Sequence, residues 1–134
     1  MKAPVALLVS LLLLAGCGTQ AQPSSVDNFQ GTEREVAQKI EDLQDAGKRN
    51  KPDDICANIL ASSLVDQIEE AGADCAQEMK KAIEDADDFE LDVRSVKVTG
   101  DTATAQVRRG KDGPTETMQF TREKGQWRAT ALSG

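Results

Sequence analysis

Val96-Lys97-Val98-Thr99-Gly100-Asp101-Thr102-Ala103-Thr104-Ala105-Gln106-Val107 is the stretch whose reading decides the fold. Apolar and polar residues alternate on both sides of Thr99-Gly100-Asp101, a period of two that marks paired strands with one buried face. Upstream, Phe89, Leu91 and Val93 alternate with Glu90, Asp92 and Arg94, yet Val96 and Val98 fall in the opposite phase. That slip at Arg94-Ser95 predicts a β-bulge or bend in a long strand. Downstream, Gly110-Lys111-Asp112-Gly113 reads as a second turn, after which Met118 and Phe120 alternate with Thr117, Gln119 and Thr121. Lys124-Gly125 then turns the chain into Trp127, Ala129 and Ala131. Four strands joined by short turns, each with one apolar face, predict an antiparallel meander.

Before Phe89 the period changes to that of a helix. Thr32 to Glu35 has the form of a capping box, followed by an apolar stripe of Val36, Ala37, Ile40, Leu43 and Ala46, with Gly47 as its closing residue. Pro52 opens a second helix, whose stripe runs from Ile55, Cys56, Ile59 and Leu60 through Leu64, Val65 and Ile68 to a stop at Ala71-Gly72. A third helix contains Cys75, Met79, Ala82 and Ile83. Three helices followed by four strands predict an α+β domain over residues 32–134, with the N-terminal helices packed on one face of a curved, cone-like sheet.

Composition narrows the function. The chain has 134 residues, 16 Lys and Arg against 23 Asp and Glu, and a net charge of -7. Phosphate-backbone binding needs clustered Lys and Arg, so nucleic acid is excluded as a partner. Anionic lipid is likewise a poor electrostatic match. There is no His and no Tyr. That removes the side chain best suited to proton transfer near neutral pH, and with it Ser-His-Asp and Cys-His catalysis and His-bound metals.

The N-terminus is different in kind. Behind Lys2, the run from Val5 to Ala15 is apolar except for Ser10. As a helix it covers about 16 Å, against roughly 30 Å for a hydrocarbon core, which is the length of a secretory h-region and not of a span. Leu14-Ala15-Gly16-Cys17 resembles the bacterial lipobox, Leu-x-Gly/Ala-Cys. The resemblance implies a signal peptide over residues 1–16 and a diacylglyceryl thioether on Cys17, and the Gly-, Ser-, Gln- and Pro-rich stretch that follows makes residues 17–31 a lipidated cysteine and flexible tether. Val26 and Phe29 within that stretch are candidates to dock on the domain. If Cys17 carries lipid, Cys56 and Cys75 remain as a pair in an oxidising compartment, where a disulfide is expected.

The whole layout, with its Val-x-Val-x-Gly-Asp-x-Ala-x-Ala-x-Val hairpin and the Gly-x-Trp ending at Trp127, resembles the nuclear transport factor 2-like, ketosteroid isomerase-like superfamily. More closely it resembles the small actinobacterial lipoproteins with this domain behind a lipobox. Enzymes of that superfamily place an acid or base among inward side chains. The inward set expected here, from Phe89 to Ala131, contains no ionisable residue, so no catalytic residue is assigned. Phe89, Phe120 and Trp127 are the candidate pocket lining, and Glu116 and Arg122, in phase with Met118 and Phe120, the candidate rim. The acidic run Glu84 to Asp92 lacks the glycine and spacing of a calcium loop. Arg108, Arg109 and Lys111 form only a sparse basic patch. No metal and no cofactor are expected. The expectation is a lipid-anchored, extracytoplasmic, non-enzymatic domain at the cell membrane that binds an envelope protein or small ligand. The alternative is an isomerase-like enzyme with a buried carboxylate as acid or base.

Overall fold

The computed structural model describes residues 25–86 and 88–132. Residues 1–16, read as a signal peptide, and Cys17 lie outside the described residues. Helix α1 spans Gly31–Lys48, α2 Pro52–Asp54, α3 Ser62–Glu70 and α4 Cys75–Asp85. The strands are β1 Leu91–Thr99, β2 Thr102–Arg109, β3 Thr115–Glu123 and β4 Gln126–Ala131, paired antiparallel in the order β1-β2-β3-β4. The fold is therefore α+β, with all helices preceding an open antiparallel sheet. Among the described residues, no helix is long and apolar enough to cross a membrane.

The hairpin β1–β2 has the register its alternation predicts, with Val98 opposite Ala103 and Val96 opposite Ala105. The pairing slips between Val93 and Ser95. This bulge is what lets Val93 and Val96, three residues apart, both face the helices. A second slip between Gln119 and Phe120 in the β3–β4 pairing was not visible in the sequence. Val93, Ala103, Ala105, Val107, Met118, Phe120, Trp127 and Ala129 are buried together with Val36, Ile40 and Leu43 of α1. Leu91, Val96 and Val98, expected to be inward, are only half-buried on the edge strand β1, whereas Ala131, also expected to be inward, is turned to the other face, because the slip in the β3–β4 pairing sets it opposite the exposed Gln119.

Three local expectations are corrected. The first is the start of α1. Its N-cap is Gln30, whose side chain makes no capping bond. Thr32 lies inside the first turn, because Ser25–Asn28 forms a 3-10 turn that buries Val26 and leads straight into the helix. Ser25 is bound as well, its hydroxyl accepting the Val93 N–H at 3.3 Å. Within the stretch expected as a tether, Val26 is buried and Phe29 packs against the core, as expected of the two residues that could dock on the domain.

The second correction is the end of α1. Gly47 is buried within the helix, where any Cβ would overlap the Phe89 ring. The closing residue is Asn50, at φ 52°. The Asn50 N–H donates to the Gly47 carbonyl at 3.0 Å and the Lys51 N–H to the Ala46 carbonyl at 2.9 Å, the two bonds of a Schellman motif.

The third is the second helix, which is broken. α2 passes into a π turn, Ile55–Ile59, closed by the Leu60 N–H on the Ile55 carbonyl at 3.0 Å. Leu60 is then extended and bridges Ala129 in parallel, and the Ala61 N–H donates to the Ala129 carbonyl at 2.8 Å. The free edge of β4 thus takes the backbone groups that a continuous helix would have used itself. Four helices result where the period of the apolar residues predicts three.

Cys56 in the π turn and Cys75, the first residue of α4, form a disulfide across a sequence separation of 19. It ties the broken helix to the start of the next one.

Candidate functional site

An apolar cavity of about 80 Å³ lies between α4, α1 and the sheet. Leu43 and Ile55 form its back, and Val107 and Met118 its floor. Met79, Ala82 and Ile83 of α4 with Ala86 line one wall, and Phe89, Leu91 and Leu132 the approach. Helix α4 lies where it does because Asp74 caps it, its carboxylate accepting the Gln77 N–H at 3.0 Å, and because the disulfide fixes its first residue. Gly47 lets the Phe89 ring lie directly against α1.

Asp88, Arg109 and Glu116 form the charged rim. The Arg109 Nε lies 2.8 Å from the Glu116 carboxylate. The two belong together by register. Val107 is opposite Glu116, and Arg109 shares the face of Val107 one diagonal step away. Sequence reading placed Arg109 in a basic surface patch, although its parity with Val107 was the available signal. Its neighbour Arg108 faces the other way, 3.1 Å from Asp92 directly across the β1–β2 pair.

The residues read as rim and lining are not brought together. Of the rim pair, Glu116 is at the cavity, whereas Arg122 is six residues further along β3, about 20 Å away at extended spacing. Arg122 stacks over Trp127, its guanidinium carbon 4.7 Å from the ring centroid. Of the lining, Phe89 is at the cavity. Phe120 is buried between Ala103 and Ala129, its partners in the neighbouring strands. Trp127 is buried at the far end, where its Nε1 donates to Glu35 at 3.2 Å. Glu35, expected to reach back to a cap, is used in this tertiary bond instead. Met79, read only as part of the apolar stripe of its helix, and Leu132, which was not singled out, also line the cavity, because contacts between distant segments leave no local pattern.

A larger hollow, about 630 Å³, is an open surface groove beside Cys56, Ser62, Glu123 and Arg128. Its polar centre is structural. The Ser62 N–H and hydroxyl both donate to the Glu123 carboxylate, at 3.1 and 2.9 Å, at the first turn of α3. These bonds from Ser62 hold the Glu123 carboxyl below its ordinary value of 4.5. The contribution of this contact is therefore fully present above about pH 4.5 and is lost as the pH falls through the lower folded value. We expect Glu123→Gln to lower the melting temperature at pH 7 and to narrow the gap to wild type as the pH falls from 5 towards 3. A gap that stays constant with pH in thermal denaturation would count against the linkage.

The acidic run Glu84 to Asp92 is spread over separate contacts. Glu84 approaches Lys80, Glu90 pairs with Lys48, and Asp92 pairs with Arg94 and Arg108. No group of three acidic or cysteine side chains among the described residues is arranged to hold a metal ion.

What the fold and site define is a small α+β domain with an apolar, side-chain-sized cavity behind a charged rim. No family model, no curated protein and no solved structure matches the chain.

Proposed function

We propose that the protein is a non-enzymatic binding domain, anchored through lipid on Cys17 and exposed on the extracytoplasmic side of the cell membrane. The reading rests on the lipobox-like Leu14 to Cys17 for its place and on the cavity for its activity. The single observation that supports binding over catalysis is the apolar character of the interior. Every described Asp and Glu is at least partly open to solvent, including Glu35 beside Trp127, whose side chain is 60% exposed. A proton-transfer enzyme needs an acid or base shielded enough to be tuned, and among the described residues no carboxylate is buried. The Cys56–Cys75 disulfide supports an oxidising compartment. The order of helices before a four-stranded antiparallel sheet is consistent with a lipoprotein of the nuclear transport factor 2-like type.

The experiment is Cys17→Ala in a bacterial host. The variant is expected in the soluble fraction and without label from a fatty-acid analogue, while wild type is labelled and sediments with membranes. Unchanged membrane association would overturn the anchoring.

A further inference from the structure

We propose that the cavity between α4 and the sheet seats one large apolar side chain from a basic segment of a partner protein. This rests on the reading of the chain as a binding domain and specifies its partner. Size comes first. Pockets for small ligands run to roughly 300–1,000 Å³, whereas this cavity holds about 80 Å³, room for a single side chain. Apolar anchors in such pockets are how protein interfaces concentrate their energy.

The approach to the cavity is apolar and, among the described residues, uncovered. Ile83, Phe89, Leu91 and Leu132 are half-buried and Ala82 is exposed, all around one opening. Met79 and Met118 inside it have flexible, polarisable side chains that adjust to the group they meet.

Charge selects the partner. Arg109 is paired with Glu116, so Asp88 leaves the rim at a net charge of −1. The Asp88 carboxylate accepts the Glu90 N–H at 2.9 Å and has no cationic partner among the described residues. Asp85, in the last turn of α4 before the lining residue Ala86, is likewise without one among the described residues. With −7 on the whole chain, this mouth attracts lysine or arginine beside the anchor and repels an acidic segment.

The chain has three methionines, and two of them line the cavity, so their methyl resonances report on it directly. The full protein in lipid nanodiscs is titrated with three nine-residue peptides: a central phenylalanine flanked by lysines, the same flanked by glutamates, and a central serine flanked by lysines. The first is expected to shift the Met79 and Met118 methyls saturably, and to bind about tenfold more tightly than either other peptide. Raising the salt to 0.5 M, where screening is nearly complete beyond a few ångströms, is expected to remove most of the difference from the glutamate peptide. Ala82→Leu, at the solvent-exposed lip of the cavity wall, narrows the opening and is expected to weaken binding of the first peptide about tenfold. Asp88→Asn is expected to weaken it severalfold and to reduce the salt dependence. Equal affinity for all three peptides, no saturable methyl shift, or indifference to Ala82→Leu would overturn the proposal. Failure of the peptides with membrane retention still dependent on Cys17 removes the docking site and leaves the anchoring intact.

Discussion

Trp127→Ala is expected to destabilise the domain by about 3–5 kcal/mol, the range for removing a buried large aromatic side chain. The chain's one tryptophan is 3% exposed in β4 and holds three parts of the fold at once. Its ring packs in the core, its Nε1 donates to Glu35 of α1, and Arg122 of β3 covers its face. Since small domains have a total stability of about 5–15 kcal/mol, the loss removes about a fifth or more of what is available. Urea denaturation followed by circular dichroism measures it, because the fluorescence probe is lost with the residue. Trp127→Phe separates the contributions. It keeps most of the buried area and leaves Glu35 free to bind water, so a loss of about 1–2 kcal/mol is expected. An alanine variant within 1 kcal/mol of wild type would show that Trp127 is not the keystone of this end of the sheet.

The second large effect is that of the disulfide. Cys56→Ser combined with Cys75→Ser is expected to cost about 3 kcal/mol, from the loop entropy that the bridge removes from the unfolded chain. For a domain of this size that corresponds to a fall in melting temperature of about 12–24 °C. The bridge joins the π turn to the first residue of α4, so its loss also frees the wall of the cavity. Reduction of the wild-type domain is expected to add two daltons and to bring its denaturation midpoint to that of the double variant. Equal midpoints for the oxidised wild type and the double variant would show that the bridge contributes nothing to stability.

Trp127 and the disulfide differ in how far local sequence reveals them. Trp127 was recognisable as a core residue from alternation alone, because a strand period of two assigns each side chain to a face. Its partners were not. Glu35 and Trp127 are 92 residues apart, and nothing local in the Thr32 to Glu35 stretch distinguishes a capping box from a carboxylate used across the fold. The same holds for Arg122. Its parity was read correctly, but parity does not say how far along a strand a residue sits from a cavity. The disulfide was readable by counting cysteines once Cys17 was given to lipid, whereas the π turn that presents Cys56 was not. The stripe from Ile55 to Ile68 continues through Leu60 and Ala61 without a break in spacing, and it is the β4 edge that interrupts it.

Local order was therefore written in the chain: the strand pairing, the bulge after Val93, helix α4 and the α+β layout follow from periodicity, turns and side-chain size. These depend on residues near each other in sequence, where geometry is set by a fixed rise and a fixed period. The size of the cavity, the pairing of Arg109 with Glu116, the break at Leu60 and the place of Trp127 beside Glu35 belong to the tertiary structure alone. They arise where segments distant in sequence compete for the same backbone donors, charges and space, and only the packed molecule resolves that competition.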